Sequence, residues 1–323
     1  MPDPFFTPVS GMDLPRFAGI PTFMRLPHVP EGHPRAAEVE VAIAGIPWDG
    51  GTSNRPGARH GPRALRDAST MIRAQHGVTG VRPFDLMRVA DAGDVPVNPV
   101  DLHDTLGRVE AFFARLSATG ARPLSAGGDH LSTLPVLRGI AGGRRLALIL
   151  FDSHTDLYPA YFGGRTPTHG NPFRMAVEEG LIEPGASTMI GMRGTTYDLA
   201  DRDFAAAHGI RVVPVEELLD KGAGTVMAEA RARAGARPVY ASFDIDFVDP
   251  AFAPGTGTPE VGGPTSAQAL AAVRGLAGLD IAGADVVEVS PPFDTGGITA
   301  WLGASVMFEL LCVMAGGGAP KAL

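Results

Sequence analysis

Apolar and polar residues follow two alternating rhythms along this chain. Short, nearly continuous apolar runs recur at VEVAIAGI (39–46), RPLSAGG (122–128), LALILF (146–151), STMIGM (187–192), RVVPV (211–215), PVYASF (238–243) and ADVVEVS (284–290). Between them the pattern turns helical over 100–119, 131–141, 172–180, 199–208, 216–234, 265–277 and 299–315. Leu270, Val273 and Leu276 mark one such face, and Thr265 or Ser266 is placed to cap its start. Strands buried on both faces read as continuous apolar runs. Their alternation with helices predicts a mainly parallel sheet covered on both sides. Residues 1–37 are Pro-rich and aperiodic, and read as an extended arm lying on the body or on a neighbouring subunit. No linker or composition break divides 38–323, which reads as a single domain.

Composition adds mainly exclusions. The 323 residues are 45% hydrophobic and 19% charged, an ordinary globular balance with no disordered or fibrous bias. A net charge of −8 leaves no electrostatic footprint for nucleic acid or an anionic membrane. The start, MPDPFFTPVSGMDLPRF, lacks the basic and apolar regions of a secretory signal. No apolar run approaches the ~20 residues of a membrane span. The single cysteine, Cys312, sits in MFELLCVM and reads as a free buried thiol. It suits a reducing compartment, hence the cytoplasm.

Three polar motifs sit at the carboxyl ends of apolar runs: LSAGGDH, LILFDSHTD and YASFDID. Ligands of parallel α/β sheets collect at those ends. On an extended segment, residues two apart share a face, so Asp152, His154 and Asp156 can converge, as can Asp244 and Asp246. His130 joins them from a third strand end. A lone Asp after a strand is ordinarily a turn former, and a lone His a satisfied polar residue. Four carboxylates and two imidazoles together would repel without a cation. Mixed oxygen and imidazole donors suit Mn²⁺, Fe²⁺, Co²⁺, Ni²⁺ or Zn²⁺, and the absence of thiolate argues against structural zinc. Six donors suit two ions ~3.5–4 Å apart with shared carboxylates. Two divalent ions balance four aspartates; a bridging hydroxide and Glu288, at a fourth strand end, leave the site net negative. Such a site favours a cationic substrate.

GGDH, DSHTD, SFDIDFVDPAFAPGTGTP and VEVSPPFD together resemble the ureohydrolase (arginase–agmatinase) family. So do GIPWDGGTSNRPGARHGPRALR and YFGGRTPTHGNPFRMAVEEG, and the likeness runs from about Phe17 to Val313. It is closest in look to the agmatinase-like branch, with its guanidinobutyrases, guanidinopropionases and proclavaminate amidinohydrolases. The resemblance implies a three-layer α/β/α fold, two Mn²⁺ per chain (Ni²⁺ or Co²⁺ as alternatives), and a homotrimer or homohexamer, with a paralogous partner subunit as a variant. It implies His130 and Asp156 on one metal, His154 and Asp246 on the other, and Asp152 and Asp244 on both. The expected reaction is attack on a guanidinium carbon by a metal-bridging hydroxide, releasing urea or a urea derivative and an amine. Asp156 would relay the proton, Glu288 would hold the guanidinium, and His169 would shuttle protons to solvent, unless His169 only caps the helix at NPFRMA. Ser153, His60, Asn171 and Trp48 depart from the family pattern without removing a ligand.

Selectivity should come from the loop LYPAYFGGRTPTH (157–169), with Tyr158, Tyr161 and Arg165 as substrate contacts beside His169 and Glu288. That loop holds no acid to pair with the tail cation of agmatine. A carboxylate tail could meet Arg165, which points to 4-guanidinobutyrate or 3-guanidinopropionate. Agmatine, neutral-tailed guanidines and biguanides are the alternatives. GMRGTTYD lacks the acid expected to hold the α-amino group of arginine. A zinc-dependent amine deacetylase and a non-catalytic partner subunit are the readings from other classes.

Overall fold

The computed structural model describes residues 3–164 and 167–316. Among them the chain forms eight strands: β1 (Val41–Gly45), β2 (Val89–Asp94), β3 (Arg122–Ala126), β4 (Ala147–Phe151), β5 (Thr188–Met192), β6 (Arg211–Pro214), β7 (Val239–Asp244) and β8 (Ile281–Val287). They make one sheet in the order β2-β1-β3-β8-β7-β4-β5-β6, with each adjacent pair parallel. The helices are α1 (Gly61–Ser69), α2 (Pro83–Leu86), α3 (Leu102–Ala118), α4 (Thr133–Ala141), α5 (Pro172–Glu178), α6 (Ala200–His208), α7 (Val215–Ala234), α8 (Ser266–Arg274) and α9 (Ile298–Met314).

The strand pleat sorts the core into two layers. In β4, Ala147, Ile149 and Phe151 join one cluster with Leu65 of α1, Met227 of α7, Val273 of α8 and Leu311 of α9. Leu148 and Leu150 face the other way and join Phe113 of α3, Leu134 of α4, Phe173 of α5 and Phe204 of α6. A period of two with both sides apolar is what a sheet covered on both faces requires. The result is the expected three-layer α/β/α arrangement.

The seven apolar runs each contain a strand, but β2 is an eighth that the apolar pattern does not reveal. Its sequence, VADAGD, is broken by acids and glycine. Asp91 is buried there because Arg66 pairs with it at 2.9 Å and the Phe23 N–H donates to it at 3.0 Å. Helix α1 also escapes the periodicity, although Pro62 near its start announces it. Thr265 caps α8 in a capping box, accepting from the Gln268 N–H while the Gln268 side chain accepts from the Thr265 N–H. In the arm, Phe23, Met24 and Leu26 are buried in the same core cluster as Leu65.

Strands β3, β8, β7 and β4 are neighbours at the middle of the sheet. Their carboxyl ends therefore deliver His130, Glu288, the Asp244–Asp246 turn and the Asp152–Asp156 loop to one place.

Candidate functional site

His130 begins a short 3₁₀ turn after β3, reached through Gly127 and Gly128. A Cβ at Gly128 would lie 1.5 Å from the Trp48 carbonyl oxygen, so only glycine lets these two backbones approach. The His130 ring is buried, with Nδ1 3.1 Å from Asp152 Oδ2, 3.0 Å from Asp156 Oδ2 and 3.2 Å from Asp244 Oδ2. A second group forms around His154, whose Nδ1 is 3.1 Å from Asp246 Oδ2 and 3.5 Å from Asp152 Oδ1. Two sets of donor atoms, His130–Asp152–Asp244 and Asp152–His154–Asp246, thus lie close enough for each to hold a cation, sharing Asp152. All six residues predicted to meet at the strand ends are together.

The donor geometry fits metal ions better than hydrogen bonds. Despite those short separations, His130 Nδ1 and Asp152 Oδ2 are both buried with no aligned hydrogen-bond partner. Donor atoms at adjacent positions around an ion, each about 2.1 Å from it, are separated by about 3 Å. That is the spacing around His130. Burial disfavours charge on either imidazole, but the surrounding carboxylates outweigh it and hold both rings well above the usual histidine range. Asp244 is pushed up by burial and by Asp246 and Asp152 beside it; Asp152 is pushed up to about 6 by burial and by Asp246 and Asp156. Asp246 is pulled down by His154 and by Ser153 hydrogen bonds, against its burial. These charges compete with one another, and divalent cations at the donor atoms would relieve them.

Outer groups aim the donors. His130 Nε2 lies 2.9 Å from Ser242 Oγ, which donates to Asp285 Oδ1 at 2.6 Å. Thr133 and Tyr240 donate to Asp285 Oδ2 at 2.7 and 2.8 Å. Asp156 and Glu288 both have positive φ, 52° and 62°, a conformation unfavourable for non-glycine residues and one that clusters at working sites. Glu288 is buried, and its Oε1 accepts from the His130 N–H at 2.9 Å and meets His169 Nδ1 at 2.7 Å. His169 is itself buried, with Nε2 2.7 Å from Ser53 Oγ. Asp129, beside His130, accepts from the Gly51 N–H at 2.6 Å and so ties the 48–53 loop to the site. Burial, then the charge of Glu288, pushes Asp129 up to about 8.

A cavity of about 510 Å³ opens above these groups. His154, Asp156, Asp244 and His169 line it, and Tyr158, Tyr161 and Tyr197 form a wall in which Tyr158 meets Tyr161 and Tyr197 with ring centres 5.9 and 5.7 Å apart. Arg165 lies outside the described residues. Sequence reasoning missed Tyr197, Asp201, Arg202 and Ser53 as cavity residues, which reach it from loops and a helix start. It also missed Ser242 and Asp285. A polar residue inside an apolar strand run was the available signal for both. One expectation is corrected: an acid does stand beside the GMRG turn. It is Glu260 from another loop, whose Oε2 would lie 2.4 Å from a Cβ at Gly194; glycine at 194 makes room for it.

The Arginase family model matches residues 39–313. The chain belongs to the arginase family. This arginase-family chain is 54% identical over 315 residues to guanidinopropionase of Pseudomonas aeruginosa, covering 98% of each chain. It is 46% identical to guanidinobutyrase of the same organism, over 96% of this chain and 97% of that one. Among solved structures, proclavaminate amidinohydrolase from Streptomyces clavuligerus superposes with a TM-score of 0.88 at 44% identity, over 93% of this chain and 99% of that one. The arginase-family chain is thus a hydrolase of C–N bonds in linear amidines, with a buried His/Asp cluster suited to metal.

Proposed function

We propose that the protein hydrolyses a guanidino acid of the 4-guanidinobutyrate or 3-guanidinopropionate type, releasing urea and an amino acid, with two Mn²⁺ held in the cluster. The observation that carries this is the convergence of buried donors around His130 Nδ1 with no hydrogen bond to satisfy it. His130 and Asp156 would hold one ion, His154 and Asp246 the other, with Asp152 and Asp244 common to both. Bound divalent ions supply Lewis acidity and lower the pKa of water to near neutrality.

This chain's own groups do the rest. Water adds at the guanidinium carbon, the bond from that carbon to the tail nitrogen breaks, and the tail nitrogen takes a proton. Asp156, lining the cavity beside His130, moves that proton. Glu288 orients the guanidinium through charge-assisted hydrogen bonds. His169, in contact with Glu288 at 2.7 Å, exchanges protons with the cavity. Tyr158 and Tyr161 wall the tail, and Arg165 is a further candidate contact for it. Similarity to guanidinopropionase and guanidinobutyrase supports an acidic tail. Glu260, which lines the cavity, favours a second reading, a cationic tail as in agmatine. The exposed Met12, Phe17 and Ile20 of the arm and Trp301 of α9 support contacts between copies, in keeping with a cytoplasmic trimer or hexamer.

The test is a panel of guanidines offered to Mn²⁺-loaded protein, with urea and released amine assayed. Highest kcat/KM on a guanidino acid is expected; agmatine as the best substrate would overturn the tail assignment.

A further inference from the structure

The described residues lining the cavity include two arginines, Arg193 and Arg202. They are in opposite situations. Arg193 is buried, and its five N–H donors are all spent on backbone: Nη1 on Gly191 and Phe247, Nη2 on Asp246 and Glu260, and Nε on Glu260. It braces the turn that carries Asp246 and has nothing left for a ligand. The Arg202 side chain makes no hydrogen bond among the described residues. Its one ionic neighbour among the described residues is Asp201, with Nε 3.7 Å from Oδ2, too far for a hydrogen bond, and its side chain is 33% exposed.

Arg202 is also anchored to the metal-site loop. Thr155, between His154 and Asp156, donates to Asp201 Oδ2 at 2.7 Å. The same oxygen faces Arg202, so one buried carboxylate spans the loop and the arginine. Asp201 cannot itself read a cationic tail. Its side chain is 3% exposed, Oδ2 is taken by Thr155, and Oδ1 is buried, so neither oxygen is presented to a ligand. The carboxylate thus sits beside an Arg202 that lines the cavity with no side-chain hydrogen bond to occupy its guanidinium. A planar fork of free N–H groups matches a carboxylate.

We infer that Arg202 is a specificity-determining residue for the substrate tail: it takes the tail carboxylate of a guanidino acid, with Asp201 as its positioning residue. This rests on the proposed guanidino-acid activity. Neither Arg202 nor Asp201 touches the reacting atoms in this reading, so the chemical step should survive their loss.

The test uses Mn²⁺-loaded wild type, Arg202→Leu and Arg202→Lys on 4-guanidinobutyrate, 3-guanidinopropionate, agmatine and n-butylguanidine. For Arg202→Leu the KM of both acids should rise roughly tenfold, the loss of one charge-assisted interaction, with kcat little changed. n-Butylguanidine should be unaffected, agmatine should improve, and Arg202→Lys should recover part of the acid preference. Unchanged KM for the acids, or an equal loss on all four substrates, would overturn the assignment while leaving the guanidino-acid activity of wild type intact. A wild type that hydrolyses neither acid would bring down the proposed function, and this inference with it.

Discussion

Replacing Asp285 by Asn tests whether the groups beneath His130 tune the metal centre. Metal ligation through Nδ1 needs the ring proton on Nε2, where it donates to Ser242 Oγ. Ser242 then donates to Asp285 Oδ1 at 2.6 Å. A carboxylate only accepts, so it fixes the direction of the whole chain. An amide nitrogen facing Ser242 would reverse it: Ser242 would accept from Asn and donate to Nε2, putting the ring proton on Nδ1, where the cation belongs. Outer-group losses of this kind cost about 10–100-fold in metal affinity, or about 1.4–2.7 kcal/mol. Fold stability should change less, because two effects oppose. Asn weakens three hydrogen bonds to Asp285, from Ser242, Thr133 and Tyr240. It also removes a buried carboxylate whose burial raises its pKa even against the charge of the nearby His130 ring. The assay is chelator competition for Mn²⁺ alongside thermal melts of the metal-free protein. Weakened Mn²⁺ binding with a metal-free Tm within about 4 °C of wild type is expected. Unchanged affinity would refute the directional chain; loss of fold would assign Asp285 to stability instead.

Asp244→Ala removes an oxygen 3.2 Å from His130 Nδ1 and within both proposed metal spheres, so metal content and urea release should collapse together; full activity would exclude Asp244 as a shared ligand. Burial alone would lower the His169 ring, yet the Glu288 carboxylate outweighs it and raises the group to about 9. The folded state therefore binds this proton more tightly than the unfolded chain, whose pKa is about 6.5. The resulting stabilisation is full below that value and lost as pH rises through about 9. Metal-free wild type should lose Tm across that window more steeply than His169→Gln, and parallel slopes would contradict the pairing. Thr265→Ala removes the capping-box hydroxyl of α8 and should cost about 1 kcal/mol of stability with kcat unchanged; a fall in kcat would tie α8 to the site.

The donor set was legible because its chemistry is local: Asp152, His154 and Asp156 lie two apart directly after an apolar strand, and Asp244 and Asp246 repeat the device. The sheet was legible because strands apolar on both faces leave continuous runs. Strand β2 was not, since its buried Asp91 depends on Arg66 and the Phe23 N–H, 25 and 68 residues away in sequence. The cavity wall escaped for the same reason. Tyr197, Asp201 and Arg202 carry no pattern among their neighbours, and only the packing of α6 against the metal-site loop gives them a role. Glu260 shows the limit of local reading most plainly. The acid missing from the GMRG turn is supplied by another loop, into space that Gly194 leaves open.

The central claim is that this cluster is built for a pair of cations. Purified protein saturated with Mn²⁺, freed of excess ion and analysed for metal by mass spectrometry, should carry about two ions per chain. About one ion, or none, would contradict it.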